Sequence, residues 1–167
     1  MKKNFILFAC MACLFGMSSV KAENARSIHY KEGYRADVEL SCNIHEIWHF
    51  STSHGYAFGN GLYVGGGAGF SAEYVPDLKS DATMMTPVFA DVKFSFLNCL
   101  ASPVISLRAG SYIDVTNIGL RAFVNPAIGV NIGRFTIKGG YEYQLGFWRY
   151  NDDVSKHHVK CGLAFNF

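Results

Sequence analysis

Lys160-Cys161-Gly162-Leu163-Ala164-Phe165-Asn166-Phe167 closes the sequence, and its reading decides the fold. Counting back from the end, Phe167, Phe165, Leu163, Cys161 and Val159 share one parity, while Asn166, Ala164, Gly162, Lys160 and His158 share the other. Side chains along a strand alternate between its two faces with a period of two. The segment therefore reads as a strand with one greasy and one polar face. It stops on an aromatic residue, where a soluble chain normally frays into polar residues.

The same division recurs upstream. Phe135, Ile137, Gly139, Tyr141, Tyr143, Leu145 and Phe147 oppose Thr136, Lys138, Gly140, Glu142, Gln144 and Gly146. Tyr34, Ala36, Val38 and Leu40 oppose Arg35, Asp37, Glu39 and Ser41, and Val88, Ala90, Val92, Phe94 and Phe96 oppose Asp91, Lys93 and Ser95. A third segment sets Leu62, Val64, Ala68, Phe70, Ala72 and Tyr74 against Tyr63, Ser71, Glu73 and glycines. Eight such segments are predicted: Tyr34 to Cys42, Ile47 to Phe58, Gly61 to Tyr74, Met84 to Phe96, Pro103 to Val115, Ile118 to Ile132, Phe135 to Trp148 and Lys156 to Phe167. Each reaches or exceeds the ~9 to 11 residues that cross a bilayer at a tilt. Short turns at Gly59-Asn60, Leu97 to Ser102 and Gly133-Arg134 fall on one side, and the connections Asn43 to Glu46, Pro76 to Thr83, Thr116-Asn117 and Arg149 to Ser155 on the other.

A soluble sandwich also alternates, so alternation alone does not say which face is outside. Two patterns choose. Tyr34, Phe58, Phe96, Phe135 and Phe167 end the apolar face at one rim, as an interfacial aromatic girdle would. The polar face collects both signs of charge: Arg35, Lys93, Arg108, Arg121, Lys138 and Lys160 with Asp37, Glu39, Glu73, Asp91 and Glu142. Eight strands enclose a lumen about wide enough for its own side chains, so these charges predict an ion-pair plug. Unpaired, each would cost several kcal/mol in a dry interior. A soluble ligand-binding barrel would invert the arrangement, with an apolar cavity and a polar wall.

The beginning of the chain agrees. Met1 to Ala22 has Lys2 and Lys3, an apolar stretch, and small residues Val20 and Ala22 before a cleavage point, the pattern of a removed signal peptide. Its loss leaves 12 Lys and Arg against 13 Asp and Glu, which excludes a basic nucleic-acid footprint. Past Ala22 no apolar run reaches the ~18 residues of a spanning helix, and lipid otherwise admits only closed barrels. Glu23 to Gly33 reads as a periplasmic lead-in and residues 34–167 as one barrel domain. Cys42, Cys99 and Cys161 are odd in number and widely spaced and imply no disulfide framework.

With these residues in place, the chain resembles the small eight-stranded bacterial outer-membrane β-barrels of the OmpA/OmpX type. The ending, with Lys160, Gly162, Phe165 and Phe167, is similar to the assembly signal on the last strand of such barrels. The resemblance implies an all-β, antiparallel, up-and-down transmembrane barrel, a monomer inserted into the outer membrane by the barrel-assembly machinery. It implies the bilayer and lipopolysaccharide as surroundings, a structural or surface-contact role, and no cofactor. No single chemistry is shared by that architecture.

Other readings attach to particular residues. A lipid A-modifying barrel enzyme would use a histidine and a serine to activate a hydroxyl, and only His45, His49, Ser51, Ser53 and His54 offer them; ordinary polar filling of the lumen is the simpler account. His157, His158 and Cys161 make a poor metal set, because adjacent strand residues face opposite ways. The acidic loops carrying Asp77, Asp81, Asp152 and Asp153 suit a surface partner or divalent cations. Parity sends Thr52 and His54 outward with Trp48, Phe50, Tyr56 and Phe58. Pro126 lacks a ladder donor and predicts a bulge or kink. Gly65, Gly66, Gly67 and Gly69 are expected to relieve crowding in a narrow barrel.

Overall fold

The computed structural model describes residues 27–43, 48–73, 83–114, 119–148 and 156–167. They form eight strands: β1 (Glu32–Asn43), β2 (Trp48–Phe58), β3 (Leu62–Glu73), β4 (Thr83–Ser95), β5 (Ala101–Asp114), β6 (Gly119–Ile132), β7 (Phe135–Trp148) and β8 (Lys156–Asn166). Each pairs antiparallel with the next, and β8 returns to β1 to close the barrel. The predicted segments and these strands agree to within two residues at every end, and β7 coincides with its predicted segment. The expected signal peptide, the loops holding Asp77, Asp81, Asp152 and Asp153, and His45 lie outside the described residues, as do the side chains of Glu73, Phe147 and Trp148.

Closure follows from the alternation. Trp48, Phe50, Leu40, Val88, Ile105, Leu107, Ile137 and Leu163 stand exposed on the outer wall. Asp37, Glu39, Asp91, Arg108, Lys138 and Glu142 are buried in the lumen. Such a sheet is stable only if the polar face curls on itself and the greasy face meets an apolar solvent. β2 obeys the same parity, with His49, Ser51 and Ser53 inside and His54 outside. Tyr34, Phe58, Phe96, Phe135 and Phe167 are all exposed near the end that carries the three short turns, called here the turn end.

Glycine makes room where lumen rings sweep across β3. A Cβ on Gly67 would lie 2.2 Å from the Thr52 carbonyl oxygen and 2.7 Å from the Phe89 ring, and one on Gly65 would lie 2.4 Å from the Tyr63 hydroxyl.

One expectation needs correction. Pro126 introduces no bulge: the β6–β7 register is the same at Val124↔Tyr143 and Ala127↔Gly140, and only the two rungs between them are absent. The ladder drops the bonds that Pro126 cannot make and keeps its alignment. Pro87 does the same between β3 and β4, where pairing skips from Ala68↔Val88 to Ser71↔Met85. The register shift in this part of the wall falls instead between Leu120 and Arg121. Residues 27–31 of the expected lead-in are described and carry structure. Ile28–Tyr30 form a single 3-10 turn capped by the Ser27 side chain, and β1 begins at Glu32.

Candidate functional site

Among the described residues the lumen is where polar and charged side chains gather, and it is built in layers. The central layer brings together three cations and three anions from four strands, β1, β4, β5 and β7. Arg108 Nη2 on β5 lies 2.8 Å from Glu39 Oε2, 3.0 Å from Asp91 Oδ2 and 3.6 Å from Asp37 Oδ1. Its Nε also donates to Asp91 at 3.1 Å. Lys93 pairs with Asp37 and, at 3.1 Å, with Asp91. Lys138 reaches Glu39 at 2.7 Å. Rings flank the two cations of the β4–β5 side: Lys93 stands over Tyr63 and Arg108 over Phe89, 4.9 and 4.7 Å from the ring centres. Inward parity on neighbouring strands delivers these groups to one level, since Asp91 and Arg108 face each other in the β4–β5 register.

Toward the opposite, loop end lies a second layer. Tyr112 donates to both oxygens of Glu142 at 3.0 and 3.1 Å, Gln144 donates to it at 2.6 Å, and Lys160 pairs with it at 2.8 Å. Beside it Met85, Phe89, Tyr112 and Phe123 form a buried apolar cluster. His49 packs its ring 5.9 Å from Tyr112, and neither of its nitrogens has a hydrogen-bond partner among the described residues. A cavity of about 20 Å³ lined by His49, Glu39, Arg108 and Glu142 separates the two layers. That is room for about one water.

At the turn end the filling is neutral apart from the buried Arg35. Asn131 donates to Ser95 at 2.7 Å, Thr136 to Asn131 at 2.6 Å, and Asn166 to Thr136 at 3.0 Å and to the Arg134 carbonyl at 2.8 Å. The 3-10 turn lies across this mouth. Ser27 N donates to Asn98 at 3.0 Å, Tyr30 OH to the Ser95 carbonyl at 3.0 Å, and His29 Nε2 meets the Gly133 carbonyl at 3.1 Å. Burial and the neighbouring Arg35 lower the His29 pKa from 6.5 to about 4. The ring is therefore neutral at ordinary pH, and Nε2 carries the donated proton. Two further cavities of about 10 Å³ each lie near Lys93, one toward His29 and one toward Lys138.

The sequence thus gathered charges that the structure sorts into separate groups. Asp37, Glu39, Asp91, Lys93, Arg108 and Lys138 form the central cluster, whereas Glu142 and Lys160 belong to the loop-end layer. Arg35 joins neither: its guanidinium donates to the Ile28 carbonyl, which the 3-10 turn offers at the mouth. Arg121 is half-buried at the register shift near the loop end of β6. Tyr112, Ser27, His29 and Tyr30 were not anticipated. An inward aromatic parity marked Tyr112; nothing local marked the turn. Of the histidines and serines weighed for catalysis, His49, Ser51 and Ser53 face the lumen, and His54 sits outside between the Thr52 and Tyr34 hydroxyls at 2.7 and 2.6 Å. His157 is likewise outside against Tyr141, and His158 inside.

Closed, eight-stranded, antiparallel and up-and-down, this is the fold of a transmembrane β-barrel. No protein-family model matches the chain, and no curated protein does. Among solved structures it is similar to the N-terminal β-barrel domain of Pseudomonas aeruginosa OprF, at a TM-score of 0.51 and 13% identity, over 82% of this chain and all of that one. A de novo designed transmembrane β-barrel aligns at a TM-score of 0.48 and 12% identity over 80% of this chain and 94% of that one. The fold resembles outer-membrane barrels of the OprF kind.

Proposed function

We propose that the chain is an outer-membrane β-barrel protein of the cell envelope, monomeric and non-enzymatic, with a side-chain-plugged lumen and a structural or surface-contact role. One observation carries the reading: charges are sealed inside a cylinder whose outer wall is clad in exposed Leu, Ile, Val and Phe. In water that cladding would drive aggregation; in lipid it costs nothing, and the aromatic ring of Tyr34, Phe58, Phe96, Phe135 and Phe167 sits at the headgroup level of the inner leaflet. Lys160, Gly162, Phe165 and Phe167 serve as the signal read by the assembly machinery, and lipopolysaccharide surrounds the loop end. A central layer of three cations against three anions supports a closed lumen rather than a pore.

The test is a gel of membrane-extracted protein with and without boiling. The folded barrel migrates faster than the boiled chain. Fractionation with soluble periplasmic proteins, and no heat shift, would end the proposal. Planar-bilayer recording of the purified protein is expected to give near-zero conductance, and steady multi-ion currents would overturn the plug.

A further inference from the structure

β1 and β8, the first and last strands, meet at the seam that closes the barrel, and there Cys42 lies directly opposite Cys161. Directly opposed residues of an antiparallel pair project on the same face. Here that face is the outer wall, with Cys161 exposed and Cys42 half-exposed. The kind of rung can be read from the ladder. Phe167 N donates to the Ala36 carbonyl at 2.9 Å, and Ala36 and Phe167 continue the register of Val38↔Phe165, Leu40↔Leu163 and Cys42↔Cys161. Every second rung is of the same kind, so Cys42 and Cys161 occupy a hydrogen-bonded rung, where Cα atoms stand ~5.5 Å apart. Disulfides most often span ~5.5 to 6 Å between Cα atoms. In a hydrogen-bonded rung the facing Cβ atoms stand toward the far end of the ~4.5 to 5.5 Å range and must close to ~3.8 Å, a tightening of about 1.5 Å that the two strands take up at one rung.

We propose that Cys42 and Cys161 form a disulfide that staples the closing seam of the barrel. Such a cross-link forms and persists only in an oxidising compartment. The compartment rests on the outer-membrane reading; the opposition of the two cysteines does not. The chemistry is thiol–disulfide exchange with the disulfide of an envelope dithiol oxidase. One cysteine thiolate attacks that disulfide and forms a mixed disulfide, and the second thiolate displaces the oxidase sulfur. Two protons and two electrons leave the pair, and the oxidase departs as a dithiol. Because exchange requires a thiolate, it occurs as the seam forms and before the outer wall is sealed in lipid.

Cys99 is the odd thiol and stands apart. It lies in the turn between β4 and β5, where its Sγ donates to the Ala101 carbonyl at 2.9 Å. The staple also has a topological meaning. β1 and β8 are the neighbouring strands farthest apart in sequence, so a link between them closes the longest loop that any bond between adjacent strands can close. Such a loop removes the most chain entropy from the unfolded state.

The experiment uses the full chain carrying Cys99→Ser, exported and extracted from membranes without reductant. The protein is denatured, and free thiols are counted by the gel shift of a polyethylene-glycol maleimide, before and after reduction. Two more labels after reduction, on a monomer, is the expected result. Adding Cys42→Ser or Cys161→Ser removes that difference. Equal counts before and after reduction overturn the proposal, as does a difference carried by a disulfide-linked dimer. The heat shift of the same sample is read separately and bears on the barrel alone: a heat-shifted protein with equal counts loses the staple and keeps the fold.

Discussion

Replacing Glu39 by Gln keeps the shape of the side chain and deletes its charge, which makes it the sharpest probe of the plug. Glu39 Oε2 sits 2.8 Å from Arg108 and 2.7 Å from Lys138. Arg108 keeps Asp91 and Asp37, but Lys138 loses the carboxylate paired with it among the described residues. At an effective dielectric of about 20, a pair at this distance is worth about 6 kcal/mol of attraction before desolvation. Removing one partner of a buried pair typically costs about 3 to 5 kcal/mol, since the other charge is stranded. Glu39→Gln is expected to destabilise the barrel by that amount, and Glu39→Gln with Lys138→Met by clearly less than the sum of the singles. Urea unfolding of the refolded protein in lipid vesicles, followed by the folded fraction on unboiled gels, measures both. A single-mutant loss below about 1 kcal/mol, or full additivity, refutes the dry, paired plug and implies a hydrated lumen.

Three further outcomes follow from the same structure. Leu163→Arg places a charge on the exposed middle of β8 and is expected to cost about 2 to 4 kcal/mol in vesicles; a loss near zero would deny that this wall meets hydrocarbon. Gly67→Val drives atoms into the Thr52 carbonyl and the Phe89 ring and is expected to abolish the heat-shifted form, with Phe89→Ala restoring part of it. Acidification should loosen the docked 3-10 turn. His29 is held neutral by burial, so the undocked segment binds more protons and docking weakens as pH falls from about 6.5, where free histidine titrates, to about 4, where the docked ring does. The Tyr30 and Lys31 amide resonances should shift across that window in the native protein and stay fixed in His29→Asn.

What the sequence displayed and what it concealed have one explanation. Parity is a local property, so Lys138 and Glu142 could be assigned to one face of β7 and Phe135 and Ile137 to the other without any knowledge of their neighbours. Pairing across the lumen is not local. Lys93 meets Asp37 across 56 residues, and which cation meets which anion depends on the stagger of all the intervening strands. For that reason Arg35, correctly placed inward, could not be seen to serve the Ile28 carbonyl. The opposition of Cys42 and Cys161 was hidden for the same reason, because it requires the register between the first strand and the last. The docking of His29 and Tyr30 was illegible for a different reason: a three-residue turn has no periodicity, and its partners are mostly backbone carbonyls.

The rungs missing beside Pro87 and Pro126 give the cylinder an uneven stiffness. A wall laced by hydrogen bonds resists shear between its staves, and here the lacing is interrupted along two joints, β3 with β4 and β6 with β7, three staves apart. Both interruptions flank the chamber that holds His49, since Pro87, Phe123 and Asn125 line its cavity. Slow breathing of the shell should therefore concentrate at the level of this chamber, and backbone amides bordering the two gaps should trade their protons with solvent sooner than those along the uninterrupted β5–β6 joint.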